Sequence, residues 1–110
     1  MATIEEFNLI DMRVGTVLEA TPFPEARKPA YQLVIDFGPE VGTRQSSAQL
    51  TKRYVPADLV GRQVVAVVNF PPRRIAGFKS EVLVLGAMPA ADDVILLAPS
   101  HSAPNGSRIG

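Results

Sequence analysis

The sequence predicts an all-β fold, a small antiparallel barrel of five strands, on three observations. Short apolar runs with alternating periodicity recur through roughly 80 residues. No helical pattern is long enough to form the crossover that parallel strands require. Clusters of Gly and Pro, 8 and 10 in all, separate the runs as turns do.

Taken in order, Thr3 and Glu6 have capping-box spacing ahead of Ile4 and Phe7, so a short helix is expected over residues 3–9. Met12 to Ala20 reads as a strand with Val14, Thr16 and Leu18 on one face and a bend or bulge at Gly15. TPFPEARKPA, 21–30, carries three prolines and is expected to be a loop. In YQLVIDFG, 31–38, Tyr31, Leu33, Ile35 and Phe37 share a face at period 2. Gly38 to Gly42 turns the chain into a short polar strand, RQSSAQL, 44–50. VPADLVG, 55–61, is a turn or single helical turn ending at Gly61. RQVVAVVNF, 62–70, and SEVLVLGAM, 80–88, then flank the stiff cationic stretch NFPPRRIAGFK. The tail APSHSAPNGSRIG is loop-like, with Ile109 as an anchor.

At 110 residues the chain is expected to be one domain, 1–110, burying roughly 60–70% of its unfolded surface. The barrel is expected at about 11–88, with extensions 1–10 and 89–110. No apolar run approaches the ~18–20 residues that span a bilayer, so no membrane insertion is expected. MATIEEFNL places Glu5 and Glu6 where a signal peptide would be basic, which points to the cytoplasm. The absence of cysteine excludes disulfides and thiol chemistry. Net charge is zero, but residues 44–81 hold seven basic against two acidic side chains, +5, leaving −5 elsewhere. Such a local patch attracts polyanions even on a neutral protein.

A barrel of this size matches the OB-fold, whose binding face lies beside the loops joining strands 1–2 and 4–5. Those loops carry Arg27 and Lys28, and Arg73, Arg74 and Lys79. Their prolines lower the entropy lost when they order on a ligand. Phe70 and Phe78 bracket the second loop, and Tyr54 follows Lys52 and Arg53. Exposed, these aromatics would stack on a base or fill a peptide side-chain pocket; turned inward, they would be core.

Catalysis finds no parts. His101 is the one histidine and sits in a Ser/Pro-rich tail, and no nucleophile-elbow, HExxH or phosphate-loop spacing occurs. No enzyme, cofactor or metal is therefore expected. Ser46 and Ser47 read as hydrogen-bonding groups of a polar strand, and Asp11 and Asp36 as a strand-start cap and a turn residue.

The stretches DMRVGTVLEATPFPEARKPAYQLVIDFG, QSSAQLTKRY and VVAVVNFPPRRIAGFKSEVLVLG resemble the tRNA-binding domain family in order and spacing, over nearly the whole chain. Asp11, Arg13, Gly15, Asp36, Gly38, Asn69, Ser80 and Glu81 match family positions. Where many tRNA-binding relatives read Ser-Glu-Gly-Met, this chain has Ser80-Glu81-Val82-Leu83, and a Ser-Gly pair is replaced near Ser46-Ser47. Both departures follow the family's branch of export-related bacterial chaperones. The resemblance implies an OB-fold homodimer that binds unfolded preproteins or peptides in protein export, with the SecA translocation ATPase as a partner. The alternative is a free-standing protein that binds the tRNA fold; the sequence pI of about 6.6 argues mildly against it. The site expected for either ligand comprises Arg27, Lys28, Arg53, Tyr54, Phe70, Arg73, Arg74, Phe78, Lys79, Ser80 and Glu81.

The extensions pose a separate problem. Ile4, Phe7, Leu9 and Ile10 at one terminus, and Val94, Ile95, Leu96 and Leu97 at the other, lie outside the barrel with apolar faces to cover. A second copy across a two-fold axis is the simplest cover, burying roughly 2,000 Å² or more.

Overall fold

A computed structural model describes residues 1–110. Its strands are β1 (Met12–Pro22), β2 (Tyr31–Asp36), β3 (Thr43–Ala48), β4 (Gln63–Val67), β5 (Arg73–Ile75), β6 (Phe78–Ser80), β7 (Leu83–Val84), β8 (Gly86–Ala90) and β9 (Asp93–Leu96). Three short helices accompany them: α1 (Ile4–Asn8), α2 (Gly38–Val41) and α3 (Pro56–Leu59). The expected capping box starts α1, with the Glu6 N–H donating to Thr3 Oγ1 and the Thr3 N–H donating to Glu6 Oε1.

Five strands form an antiparallel sheet in the order β3-β2-β1-β4-β7, which curls into a nearly closed barrel. Alternation in β2 does what the pattern predicts: Tyr31, Leu33 and Ile35 point inward and are buried, with Phe37 continuing the row. Val17, Leu50, Leu59, Val64 and Ala66 complete the core around them.

β1 departs from expectation. Its inward positions are Gly15 and Val17, not Val14, Thr16 and Leu18. A Cβ on Gly15 would lie 2.6 Å from Ile35 Cγ2 and 2.7 Å from the Phe37 ring, so the missing side chain is what lets β1 approach Ile35 and Phe37. Val14 and its cross-strand neighbour Val65 are buried outside this central cluster. The bulge falls between Val17 and Glu19 and leaves Leu18 47% exposed.

The last barrel seam, between β3 and residues 79–82, is closed largely by side chains. The Glu81 N–H donates to the Gln45 carbonyl, while Glu81 Oε1 accepts from the Gln45 N–H at 3.1 Å. Ser80 Oγ accepts from the Ser47 N–H, and the fully buried Ser46 hydroxyl donates to the Val82 carbonyl at 2.9 Å. These bonds bend the chain at 81–82, so the single strand expected over 80–88 is instead the end of β6, then β7, then β8.

Two further segments are more ordered than a loop reading predicts. The proline-arginine stretch folds as the β5–β6 hairpin. The tail, residues 103–109, docks as a strap along the start of β1: Val14 N donates to the Ser107 carbonyl, Gly106 N to the Val14 carbonyl, and Ile109 N to the Met12 carbonyl. That part of the expected dimerisation extension is therefore spent on the chain's own barrel. No helix is long and apolar enough to cross a membrane.

Candidate functional site

The β5–β6 hairpin turns through Ala76 and Gly77, both at positive φ (47° and 82°). This two-residue turn matches the twist of the strands it joins, at a cost of about 1–2 kcal/mol for holding an alanine left-handed. Arg73 pairs with Ser80, Arg74 with Lys79, and Ile75 with Phe78. Because side chains alternate across a strand, the hairpin has two chemically distinct faces.

One face carries Arg73, Ile75, Phe78 and Ser80, of which Arg73, Ile75 and Ser80 line a cavity of about 450 Å³. Leu50, Val82, Val84 and Val94 supply apolar walls, and Phe70 and Met88 line it while remaining 41% and 60% exposed. Glu81 contributes the one acidic group, already accepting from β3. Ser80 and Glu81 thus hold the hairpin against the barrel as well as facing the cavity. A mostly apolar cleft with a few fixed polar groups suits an extended apolar segment.

The other face carries Arg74 and Lys79, exposed and directly opposite one another. Like charges in that relation oppose folding by about 0.2–1 kcal/mol. No carboxylate lies within 4.0 Å of either, or of Arg27, Lys28 or Arg73; the ion pairs of the chain are Arg13 with Asp11 and Glu40, Lys52 with Asp92, Arg53 with Asp93, and Arg108 with Asp11. Phe23, buried at the start of the loop that carries Arg27 and Lys28, packs edge-on against Phe78 with ring centroids 5.4 Å apart. That contact, on the hairpin's Ile75–Phe78 side, brings loop 21–30 to the hairpin and gives Phe78 a packing role, whereas Phe70 stays open.

Two expected site residues are engaged elsewhere. Arg53 forks both oxygens of Asp93, and so ties the β8–β9 hairpin to the barrel. That contact holds the Asp93 carboxyl below its ordinary range and raises the guanidinium. Tyr54 is a structural post: its carbonyl accepts from the Tyr31 hydroxyl at 2.7 Å, its hydroxyl accepts from the Leu96 N–H at 3.1 Å, and Arg62 sits 5.2 Å over its ring. Neither belongs to the hairpin site.

The apolar extensions divide likewise. Ile4, Phe7 and Leu9 are 66%, 37% and 72% exposed, and Ile10 is half-buried. Ile95 on β9 and Leu97 just after it face outward; Val94 and Leu96 pack on the barrel core and leave the expected interface set. Of the cavity-lining residues named above, Leu50, Ile75, Val82, Val84, Met88 and Val94 are absent from the sequence-derived ligand site. Of these only Met88, in an uncharged AMPA stretch, carried a signal. Nowhere do three or more His, Cys, Asp or Glu side chains gather as a metal site.

Comparison with known proteins places this geometry. The fold superimposes on the chaperone CsaA of Bacillus anthracis with a TM-score of 0.95 and 62% identity, covering 100% of this chain and 99% of that one. Against the CsaA chaperone of Picrophilus torridus the values are 0.91 and 48%, with both chains fully covered. A methionine–tRNA ligase of Porphyromonas gingivalis is 37% identical over 105 residues, 96% of this chain but 15% of the ligase. The chain therefore spans about 15% of the length of such ligases. Residues 12–108, from the first residue of β1 to the strap, match the tRNA-binding domain family, and the chain belongs to that family.

Proposed function

We propose that this chain is a CsaA-like chaperone that binds extended apolar segments of unfolded preproteins in the cavity beside the β5–β6 hairpin. The observation that carries the reading is that cavity, about 450 Å³ and walled mainly by apolar side chains, with Phe70 and Met88 open to solvent. The full-length likeness to two CsaA chaperones supports it. On the same reading the protein catalyses no reaction, works in the cytoplasm as a homodimer, and delivers clients to SecA. The exposed apolar side chains Ile4, Leu9, Ile95 and Leu97 support the dimer.

The test is fluorescence anisotropy with a labelled unfolded preprotein. Phe70→Ser together with Met88→Ser is expected to weaken binding about tenfold or more, since two apolar contacts of roughly 1–2 kcal/mol are removed. Their exposure predicts little change in melting temperature. Unchanged affinity would remove the cavity as the client site. Light scattering should report twice 11.8 kDa; a monomer that still binds client would separate the dimer from the function.

A second reading is favoured by one observation, the unneutralised Arg74–Lys79 pair. With Arg27, Lys28 and Arg73 it suits a polyanion such as tRNA, neutralising about four phosphates and giving a log–log salt slope of roughly −3 to −4.

A further inference from the structure

The strap contains the dipeptide Asn105-Gly106. Asparagine loses its amide most readily before glycine, because no side chain hinders the glycine nitrogen as it closes on the neighbouring carboxamide carbon. In the folded chain every group that this reaction needs is occupied. The Gly106 N–H donates to the Val14 carbonyl at 2.8 Å. Asn105 Oδ1 accepts from the Thr16 hydroxyl at 2.8 Å and from Gln63 Nε2 at 3.2 Å, while Nδ2 donates to Asp36 Oδ2 at 3.5 Å. The backbone around the pair is equally crowded. A Cβ on Gly38 would lie 2.4 Å from the Asn105 carbonyl oxygen, and one on Gly106 would lie 2.6 Å from the Phe37 carbonyl oxygen.

We propose that Asn105 is a deamidation site, protected while the strap is docked and reactive when it opens, so that opening leaves an irreversible chemical mark. The Gly106 nitrogen, giving its proton to a solvent base, bonds to Asn105 Cγ. The Cγ–Nδ2 bond breaks, and ammonia leaves with a proton taken from water. Water then opens the succinimide at either carbonyl, leaving an aspartate or an isoaspartate linkage. No oxidant or reductant takes part.

Neither product re-docks well. A carboxylate oxygen in place of Nδ2 would face Asp36 across about the present 3.5 Å, turning an attraction into like-charge repulsion. Isoaspartate inserts a methylene into the main chain where Gly38 and the Phe37 carbonyl leave no room for even a Cβ. The strap of a modified chain therefore stays open longer, uncovering the start of β1. This inference does not depend on which ligand the hairpin takes.

The experiment ages the full chain beside the peptide SAPNGSRIG in mildly alkaline buffer, with mass spectrometry of the C-terminal fragment reporting ammonia loss and isoaspartate. The folded chain should react about a hundredfold more slowly or less, and faster in sub-denaturing urea, because reaction follows the open population. Equal rates in chain and peptide overturn the proposal. Asn105→Asp tests the consequence by hydrogen exchange. Val14 and Ile109 amides should lose about tenfold or more of their protection, and adding Asp36→Asn should restore it by removing the like charge. Where Asn105→Asp alone fails to fold, recovery of folding in the double variant gives the same answer. Full protection in Asn105→Asp, or no rescue by Asp36→Asn, overturns the proposal.

Discussion

The two ends of β1 are finished in opposite ways. At its start, Arg13 reaches Asp11 and Glu40, each at 2.6 Å, and the Gly106 carbonyl at 3.0 Å, and its guanidinium pKa is raised by the Asp11 contact first. The strap there satisfies the backbone of Met12 and Val14. At its far end the chain runs into loop 21–30, whose Arg27 and Lys28 have no carboxylate within reach, and Phe23 hands on to a hairpin bearing Arg74 opposite Lys79. Charge at the first end is neutralised internally and serves the fold; charge at the second has no ion-pair partner within the chain. Composition counts both as basic residues.

Breaking the first end should do the most damage to stability. Deleting residues 103–110 removes three strap-to-β1 backbone hydrogen bonds and the Arg13 contact to Gly106, and is expected to cost about 3–4 kcal/mol, read from the urea midpoint. At the second end, Phe78→Ala removes a half-buried ring from Phe23. It should cost about 2 kcal/mol, below the range for a fully buried phenylalanine, in the same assay.

The Arg53–Asp93 pair gives an intermediate case with a pH signature. Arg53 holds the Asp93 pKa below its ordinary value, so its stabilisation is complete above the usual carboxylate range of about pH 4 and is lost as pH falls through the depressed pKa. Hydrogen exchange in β8–β9 should therefore speed up on acidification. Arg53→Met should abolish that pH dependence and leave faster exchange at neutral pH. The smallest effect belongs to the hairpin cations. Arg74→Ala with Lys79→Ala should leave stability unchanged or raise it by about 0.2–1 kcal/mol, while flattening the salt slope of polyanion binding by one to two.

What could be read from the sequence follows the same division. β2 was legible because its alternation is uninterrupted, and α1 because Thr3 and Glu6 form a purely local cap. The inward face of β1 was not legible, since the residue that meets Phe37 there is a glycine with no side chain to reveal it. The cationic loops were placed on the right strand connections, yet their separation into a cavity face and a charged face depends on register, Arg73 with Ser80 and Arg74 with Lys79. Arg53 read as a binder because its partner, Asp93, is 40 residues away, and nothing local distinguishes a paired arginine from a free one. Val94 and Leu96 read as interface because five consecutive apolar residues conceal which side is covered.

On the proposed reading, the cavity beside the hairpin takes client and the Arg74–Lys79 face takes anions, and the two work separately. That separation is tested most directly by measuring a labelled unfolded preprotein and bulk tRNA against two variants, Phe70→Ser/Met88→Ser and Arg74→Ala/Lys79→Ala. The predicted result is a crossed pattern, with the first variant losing preprotein affinity about tenfold while keeping whatever tRNA binding the native chain has, and the second keeping preprotein. Loss of preprotein binding in the Arg74/Lys79 variant, with none in the Phe70/Met88 variant, would contradict it.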